Sequence, residues 1–149
     1  MIAKDLMTAQ PFAVAASASL QNAAELMRAH DVGMIPVVHD LQTRALVGVL
    51  TDRDIAIRCV AKGHQPDGFV AAYMTGDPLA TVRAESPVEE VVQLMEWARV
   101  RRIPVVDGSN RLVGIVALAD IVRGLGKREP NTVEEVLERV SEASHALTS

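Results

Sequence analysis

A chain of 149 residues, 49% hydrophobic and 23% charged, has the length for one compact core-forming unit and the composition of an ordinary soluble protein. Its formal net charge of −4 argues against a general electrostatic grip on nucleic acid, and an aromatic content of 3% leaves few rings on which bases could stack. Its one cysteine, Cys59, excludes an internal disulfide, and the expected compartment is the cytoplasm.

The first expected element follows Met7-Thr8: a short extended piece near residues 12–14. The uncharged run 6–24 contains Ala16-Ser17-Ala18 and imitates a signal-peptide cleavage site. Gln10, Pro11 and Gln21 interrupt the run, Asp5 sits in its basic end, and its counterpart at 74–92 lies mid-chain, so it is read as folded structure. No segment approaches the ~20 apolar residues of a membrane span. Leu20, Ala23, Ala24 and Met27 share one face at three-and-four spacing and predict a helix over 19–30. Two β runs at 34–39 and 46–51, around a polar turn at 40–44, read as a hairpin. A helix over 52–61 closes the block, and Gly63, Pro66 and Gly68 mark the connection that follows.

The block then recurs. Met7-Thr8, Ile35-Pro36-Val37-Val38 and Leu46-Val47-Gly48-Val49 return as Met74-Thr75, Ile103-Pro104-Val105-Val106 and Leu112-Val113-Gly114-Ile115. Met74 lies 67 residues after Met7, Pro104 lies 68 after Pro36, and Gly114 lies 66 after Gly48. In the second copy Ser86-Pro87-Val88-Glu89 reads as a capping box with Pro87 at the first helical position, and Val88, Val91, Val92 and Met95 form the buried side. A hairpin of 103–107 and 112–117 and a helix over 118–125 complete it. Past Pro130, Asn131-Thr132-Val133-Glu134 is expected to cap a last helix with Val133, Val136, Leu137 and Val140 on one stripe, packed on its own module or offered to a partner. Glu134, Glu135, Glu138, Arg139 and Glu142 form its wet side. The expected division is repeat 1 at 7–64, a linker at 65–73, repeat 2 at 74–127 and a C-terminal helical tail at 128–149. Two copies are too few for a solenoid, so two half-domains burying their apolar faces against each other, with any site between them, are expected.

The duplicated block, with Met-Thr at its start, a hydrophobic residue before Pro-Val-Val in its middle and Gly48-Val49-Leu50-Thr51-Asp52-Arg53-Asp54 at its end, resembles the CBS domain. Two tandem copies resemble a Bateman module, over about residues 1–127. The Thr-Asp-Arg-Asp helix start together with Val100-Arg101-Arg102-Ile103-Pro104-Val105 is most similar to small stand-alone bacterial members of the hypoxic response type. The resemblance implies an α/β (α+β) fold in which two β-α-β-β-α repeats form a pseudo-twofold sandwich. It also implies clefts for adenosine-containing ligands such as AMP, ADP, ATP or S-adenosylmethionine, and homodimers of modules. No segment is left over for a catalytic domain, so the expected role is a non-catalytic regulatory module with a coupled effector protein. The alternative is a ligand-free dimerisation or protein-interaction scaffold. A nucleic-acid binder using Arg99, Arg101, Arg102 and Arg111 ranks last because the net charge is acidic.

A helix start offers unpaired N–H groups to a phosphate, and Thr51 can add a hydroxyl. One turn on, Asp54 carries two acceptor oxygens that suit the two hydroxyls of a ribose, the role of the matching aspartate in CBS domains. The same residues also read as a capping box, and one residue can cap and bind. Asp120 stands 66 residues after Asp54, but Ala117 and Ala119 replace Thr51 and Arg53, which weakens the phosphate end of the second copy. Arg101 and Arg102 occupy positions where other CBS modules carry phosphate-binding basic residues, whereas the first copy has Gly33 and Met34 there. Arg102 is the first candidate for an anion contact, with Arg101 and Arg53 behind it, since neighbouring strand residues face opposite sides. Ile35 and Ile103 are candidates to sandwich an adenine ring, with core packing as the competing role. The histidines at 30, 39, 64 and 145 lack the spacing and cysteine company of a metal site, and Cys59 reads as buried core.

Overall fold

The structure, a computed structural model, describes residues 1–145 and the side chains of residues 1–142. In chain order the elements are α1 (Ala3–Leu6), β1 (Thr8–Ala9), β2 (Val14–Ala15), α2 (Leu20–His30), β3 (Met34–Val38), β4 (Leu46–Thr51) and α3 (Asp52–Asp54), which runs into a π-helical stretch at Ile55–Val60. A single 3₁₀ turn at Val70–Ala72 precedes α4 (Val88–Ala98), β5 (Arg102–Val106), β6 (Leu112–Ala117), α5 (Leu118–Arg128) and α6 (Pro130–His145). The chain is therefore α/β, and its strands and helices divide into two compact units.

One unit comprises Phe12–Leu79 and Gly108–Leu112. Ser19 caps α2 by accepting a hydrogen bond from the Asn22 N–H at 3.0 Å. The helix ends where Asp31 turns left-handed at φ 51° and the Val32 N–H returns to the Met27 carbonyl. The sheet runs β2-β3-β4, with β2 parallel and β4 antiparallel to β3 and a register shift between Val37 and Val38. The β3–β4 turn is tied by Asp40, whose carboxylate accepts from the Thr43 N–H at 2.7 Å, the Thr43 hydroxyl and the Gln42 N–H. These donors, led by the Thr43 N–H, hold the Asp40 carboxyl below the usual aspartate value. Leu20, Ala23 and Met27 of α2 pack on Ile35, Val37 and Leu50 of the sheet, with Cys59 and Val70 closing the cluster. Burial of Cys59 agrees with its sequence reading.

The other unit comprises Met1–Pro11, Ala80–Asp107 and the chain from Val113 onward. Its sheet runs β1-β6-β5, and Val82 bridges Val105 in parallel as Val14 does Val37 in the first unit. Val91, Val92 and Met95 of α4, Ile103 and Val105 of β5, Ile121 and Leu125 of α5, and Val136 and Val140 of α6 make one core. The tail helix thus packs on α4 and α5.

The Met-Thr segments are exchanged. Thr8, at the head of the first copy, pairs with Ile115 of β6, and Thr75, at the head of the second, pairs with Val49 of β4 through bonds of 2.9 and 3.0 Å. Each exchange needs a glycine. A Cβ on Gly48 would stand 2.6 Å from Met74 Sδ and 2.8 Å from the Thr75 carbonyl oxygen, and one on Gly114 would collide with Met7.

The local expectations need four corrections. The Ser86 capping box does not form: Pro87 is the N-cap of α4, the Ser86 hydroxyl accepts from the Arg83 N–H, and the Val88 N–H is taken by the Met1 carbonyl. A backbone partner has replaced the side-chain cap. The helix expected over 52–61 is only three α residues followed by π turns, with the Ala61 N–H reaching back to Ala56. α5 continues past Leu125 through Gly126 to Arg128, and α6 begins at Pro130, where a missing N–H costs nothing. The side chain of His145, one of the four histidines named above, lies outside the described residues.

Candidate functional site at the two strand-to-helix junctions

In each unit the second hairpin strand runs directly into a helix, which places a carboxylate one turn inside the helix start. At the first junction Thr51 is extended (φ −112°, ψ 159°) and its hydroxyl accepts from the Asp54 N–H at 3.0 Å. Asp54 Oδ2 accepts in return from the Thr51 N–H at 3.0 Å, which completes a reciprocal box. At the second junction Asp120 Oδ2 accepts from the Ala117 N–H at 3.0 Å, but alanine has no oxygen to return the bond. Both carboxylates are largely inward, with side chains 13% and 21% exposed. Each commits one oxygen to the helix start and turns the other toward an arginine.

Those arginines differ, and the sequence reading passed over both. Arg58 Nε lies 3.8 Å from Asp54 Oδ1, beyond hydrogen-bond length, while its guanidinium donates to the Tyr73 and Met74 carbonyls at 3.2 and 3.0 Å. Arg123 Nη2 donates directly to Asp120 Oδ1 at 2.5 Å. The i,i+4 and i,i+3 spacings from the aspartates carried the signal. Gly124 is the counterpart of Arg58, and Leu6 of α1 lies against it where a Cβ would stand. That space is filled by a bonded guanidinium in one unit and by a leucine in the other.

The remaining candidates divide between the units. Arg53 is exposed on the first turn beside Thr51 and Asp54, with its N–H on Asp52 Oδ1 at 2.8 Å. The Arg101 carbonyl accepts the Leu118 N–H at 2.8 Å, so its backbone meets the start of α5, as the Gly33 carbonyl meets Asp52 N–H at 2.9 Å. Arg101 is exposed and Arg102 half-buried. Ile35 and Ile103 take the core position that the sequence left open: at 1% and 0% exposure they sit inside the two clusters, because four successive residues of each strand are covered. A cleft of about 440 Å³ lies elsewhere, lined by Met1, Pro87, Val92, Leu125, Val136 and Arg139 among others, and includes none of the predicted site residues.

Among the described residues no three His, Cys, Asp or Glu side chains gather as a metal site, and no helix is long and apolar enough to cross a membrane. His30 stacks on Phe12, and His64 Nδ1 meets the Tyr73 hydroxyl at 3.0 Å. Thr51→Ala removes half of the first box and should cost about 1 kcal/mol in urea unfolding; an unchanged midpoint would show that the box contributes nothing.

The CBS domain family model matches residues 3–60 and again 70–127. Protein YhcV of Bacillus subtilis, a CBS domain-containing protein, is 43% identical over 118 residues, 79% of this chain and 81% of its own length. Hypoxic response protein 1 of Mycobacterium tuberculosis is 41% identical over 123 residues, 83% of this chain and 84% of its own. A crystal structure of Hypoxic Response Protein I with two coordinated zinc ions superposes with a TM-score of 0.75 at 38% identity, covering 83% of this chain and 98% of that one. The CBS domain pair of MJ0100, solved with methylthioadenosine and S-adenosylmethionine, gives 0.73 at 30% identity, covering 85% and 100%. CBSX2 in complex with AMP gives 0.73 at 30% identity, covering 85% and 96%.

Proposed function

The chain belongs to the CBS-domain family as a tandem pair, and from that premise we propose that it is a non-catalytic regulatory module that binds an adenosine-containing ligand. The observation that carries this reading is the matched pair of inward carboxylates, Asp54 and Asp120, each with one oxygen directed away from the helix start. Two similar domain pairs were solved with AMP and with S-adenosylmethionine and methylthioadenosine, which makes an adenosyl group the ligand class to test. In this reading the Asp54 and Asp120 oxygens accept ribose hydroxyls, Thr51 and Arg53 serve a phosphate at the first junction, and Arg101 and Arg102 serve one at the second. Regulation requires the ligand to favour one of two conformations, which a homodimer or a coupled effector protein then reads. We assign repeat 1 to 7–64, the linker to 65–73, repeat 2 to 74–127 and the helical tail to 128–149, in a protein proposed to work in the cytoplasm.

The scaffold reading has one observation in its favour: Phe12, Ile57, Val60 and Phe69 of the first unit are exposed. A thermal-shift and calorimetry panel of AMP, ADP, ATP, NAD, S-adenosylmethionine and cyclic dinucleotides separates the two. A ligand that binds only the folded state raises the melting temperature, by RT ln(1 + [L]/Kd) in free energy. We expect at least one adenosyl compound to do so; no response from protein stripped of co-purified ligand favours the scaffold.

A further inference from the structure

The two junctions are unequal in how their arginines are held, and from this we propose, building on the adenosyl-binding reading above, that Arg123 decides which nucleosides Asp120 accepts. Arg123 occupies the outer oxygen of Asp120 and yields it to a ribose diol more readily when the ligand also brings an anionic group, a phosphate, to which the guanidinium can transfer.

Both Asp120 oxygens are engaged, Oδ2 by the Ala117 N–H at 3.0 Å and Oδ1 by Arg123 Nη2 at 2.5 Å. A diol must displace one of these donors. The Ala117 N–H belongs to the backbone where β6 enters α5, whereas Arg123 is a long side chain 73% exposed, so Arg123 is the partner that moves. Having left Asp120, a guanidinium matches phosphate with two parallel bonds. Ala117 offers no hydroxyl, so the side-chain contacts of a phosphate near the start of α5 fall to arginines, and Arg101 joins that start through its carbonyl bond to Leu118.

Asp54 has no such gate. Arg58 stays 3.8 Å from Oδ1 because its guanidinium is bonded to two backbone carbonyls, and Oδ1 keeps its lone pairs for a ligand. Adenosine therefore reaches Asp54 without displacing an arginine, and the preference for AMP over adenosine is larger at Asp120 than at Asp54.

Calorimetric titration of adenosine and AMP into the Asp54→Ala protein, with and without Arg123→Gln, reads Asp120 by itself. Arg123→Gln should raise adenosine affinity by up to about fivefold, the scale of an exposed ion pair, and lower the ratio of AMP to adenosine affinity. Arg123→Gln in the otherwise unaltered chain guards against a folding defect and should strengthen the weaker adenosine site. Adenosine affinity that is unchanged or reduced while AMP still binds overturns the gate and leaves the adenosyl-binding reading standing. Binding of neither compound by any of these proteins, the unsubstituted chain included, overturns both.

Discussion

Gly48→Ala lowers the stability of the protein by about 3 kcal/mol, the upper part of the range for forcing atoms into a filled site. The new methyl would stand 2.6 Å from Met74 Sδ and 2.8 Å from the Thr75 carbonyl oxygen. A methionine can rotate away, but the Thr75 backbone cannot, because it exchanges two hydrogen bonds with Val49 next to the substitution. The Thr75 segment must lift from β4. At roughly 2–4 °C per kcal/mol for a chain of this size, the melting temperature should fall by about 6–12 °C. At Gly114→Ala the nearest atoms all belong to the side chain of Met7, whose flexible stem can give, so the expected loss is about half as large. Scanning calorimetry on both variants checks the order; a Gly114→Ala protein less stable than Gly48→Ala would contradict this view of the exchanged segments.

The second large effect concerns ligand affinity. A carboxylate that accepts a ribose hydroxyl makes a charge-assisted hydrogen bond, worth about 1.5–3 kcal/mol, so Asp54→Ala and Asp120→Ala should each weaken adenosyl binding at their own site by roughly tenfold to a hundredfold. Asp54 also caps its helix, and Ala removes both functions. Asp54→Asn separates them: the amide oxygen can still accept the Thr51 N–H, so stability should stay near that of the parent while the charged acceptor is lost. Calorimetry paired with urea unfolding reads the two quantities independently. If Ala and Asn variants at 54 and 120 alter stability alone, the carboxylates are caps and the ribose assignment fails.

The hairpins and α2 were legible in the sequence because their patterns are long enough to repeat: six residues of β4 alternate strictly between buried and half-buried, and α2 shows two turns of apolar spacing from Leu20 to Met27. The repeat then located the second copy, and Asp120 was found by its offset from Asp54. The exchange of the Met-Thr segments was illegible. β1 is two residues long and Thr75 makes a single bridge, too short for any period, and pairing partners far apart in sequence leave no local mark. The π turns at Ile55–Val60 escaped for a different reason. Composition suited an α-helix, and what distinguishes this stretch from α5 is a tertiary difference, with Arg58 bonded to Tyr73 and Met74 where the second copy has Gly124 against Leu6. For Ile35 and Ile103 the sequence left a ring contact and core packing both open, because an isoleucine before Pro-Val-Val suits either, and burial is what distinguishes them. Arg58 and Arg123 stood at helical spacing from the two aspartates throughout and could have been found from it.

A crystal structure of the protein with AMP tests the central claim most directly. The ribose hydroxyls should lie within about 2.5–3.0 Å of the Asp54 or Asp120 carboxylate oxygens, the length of a hydroxyl–carboxylate hydrogen bond. A nucleotide seated instead in the cleft lined by Pro87, Leu125 and Arg139, with neither carboxylate touching the ribose, would contradict it.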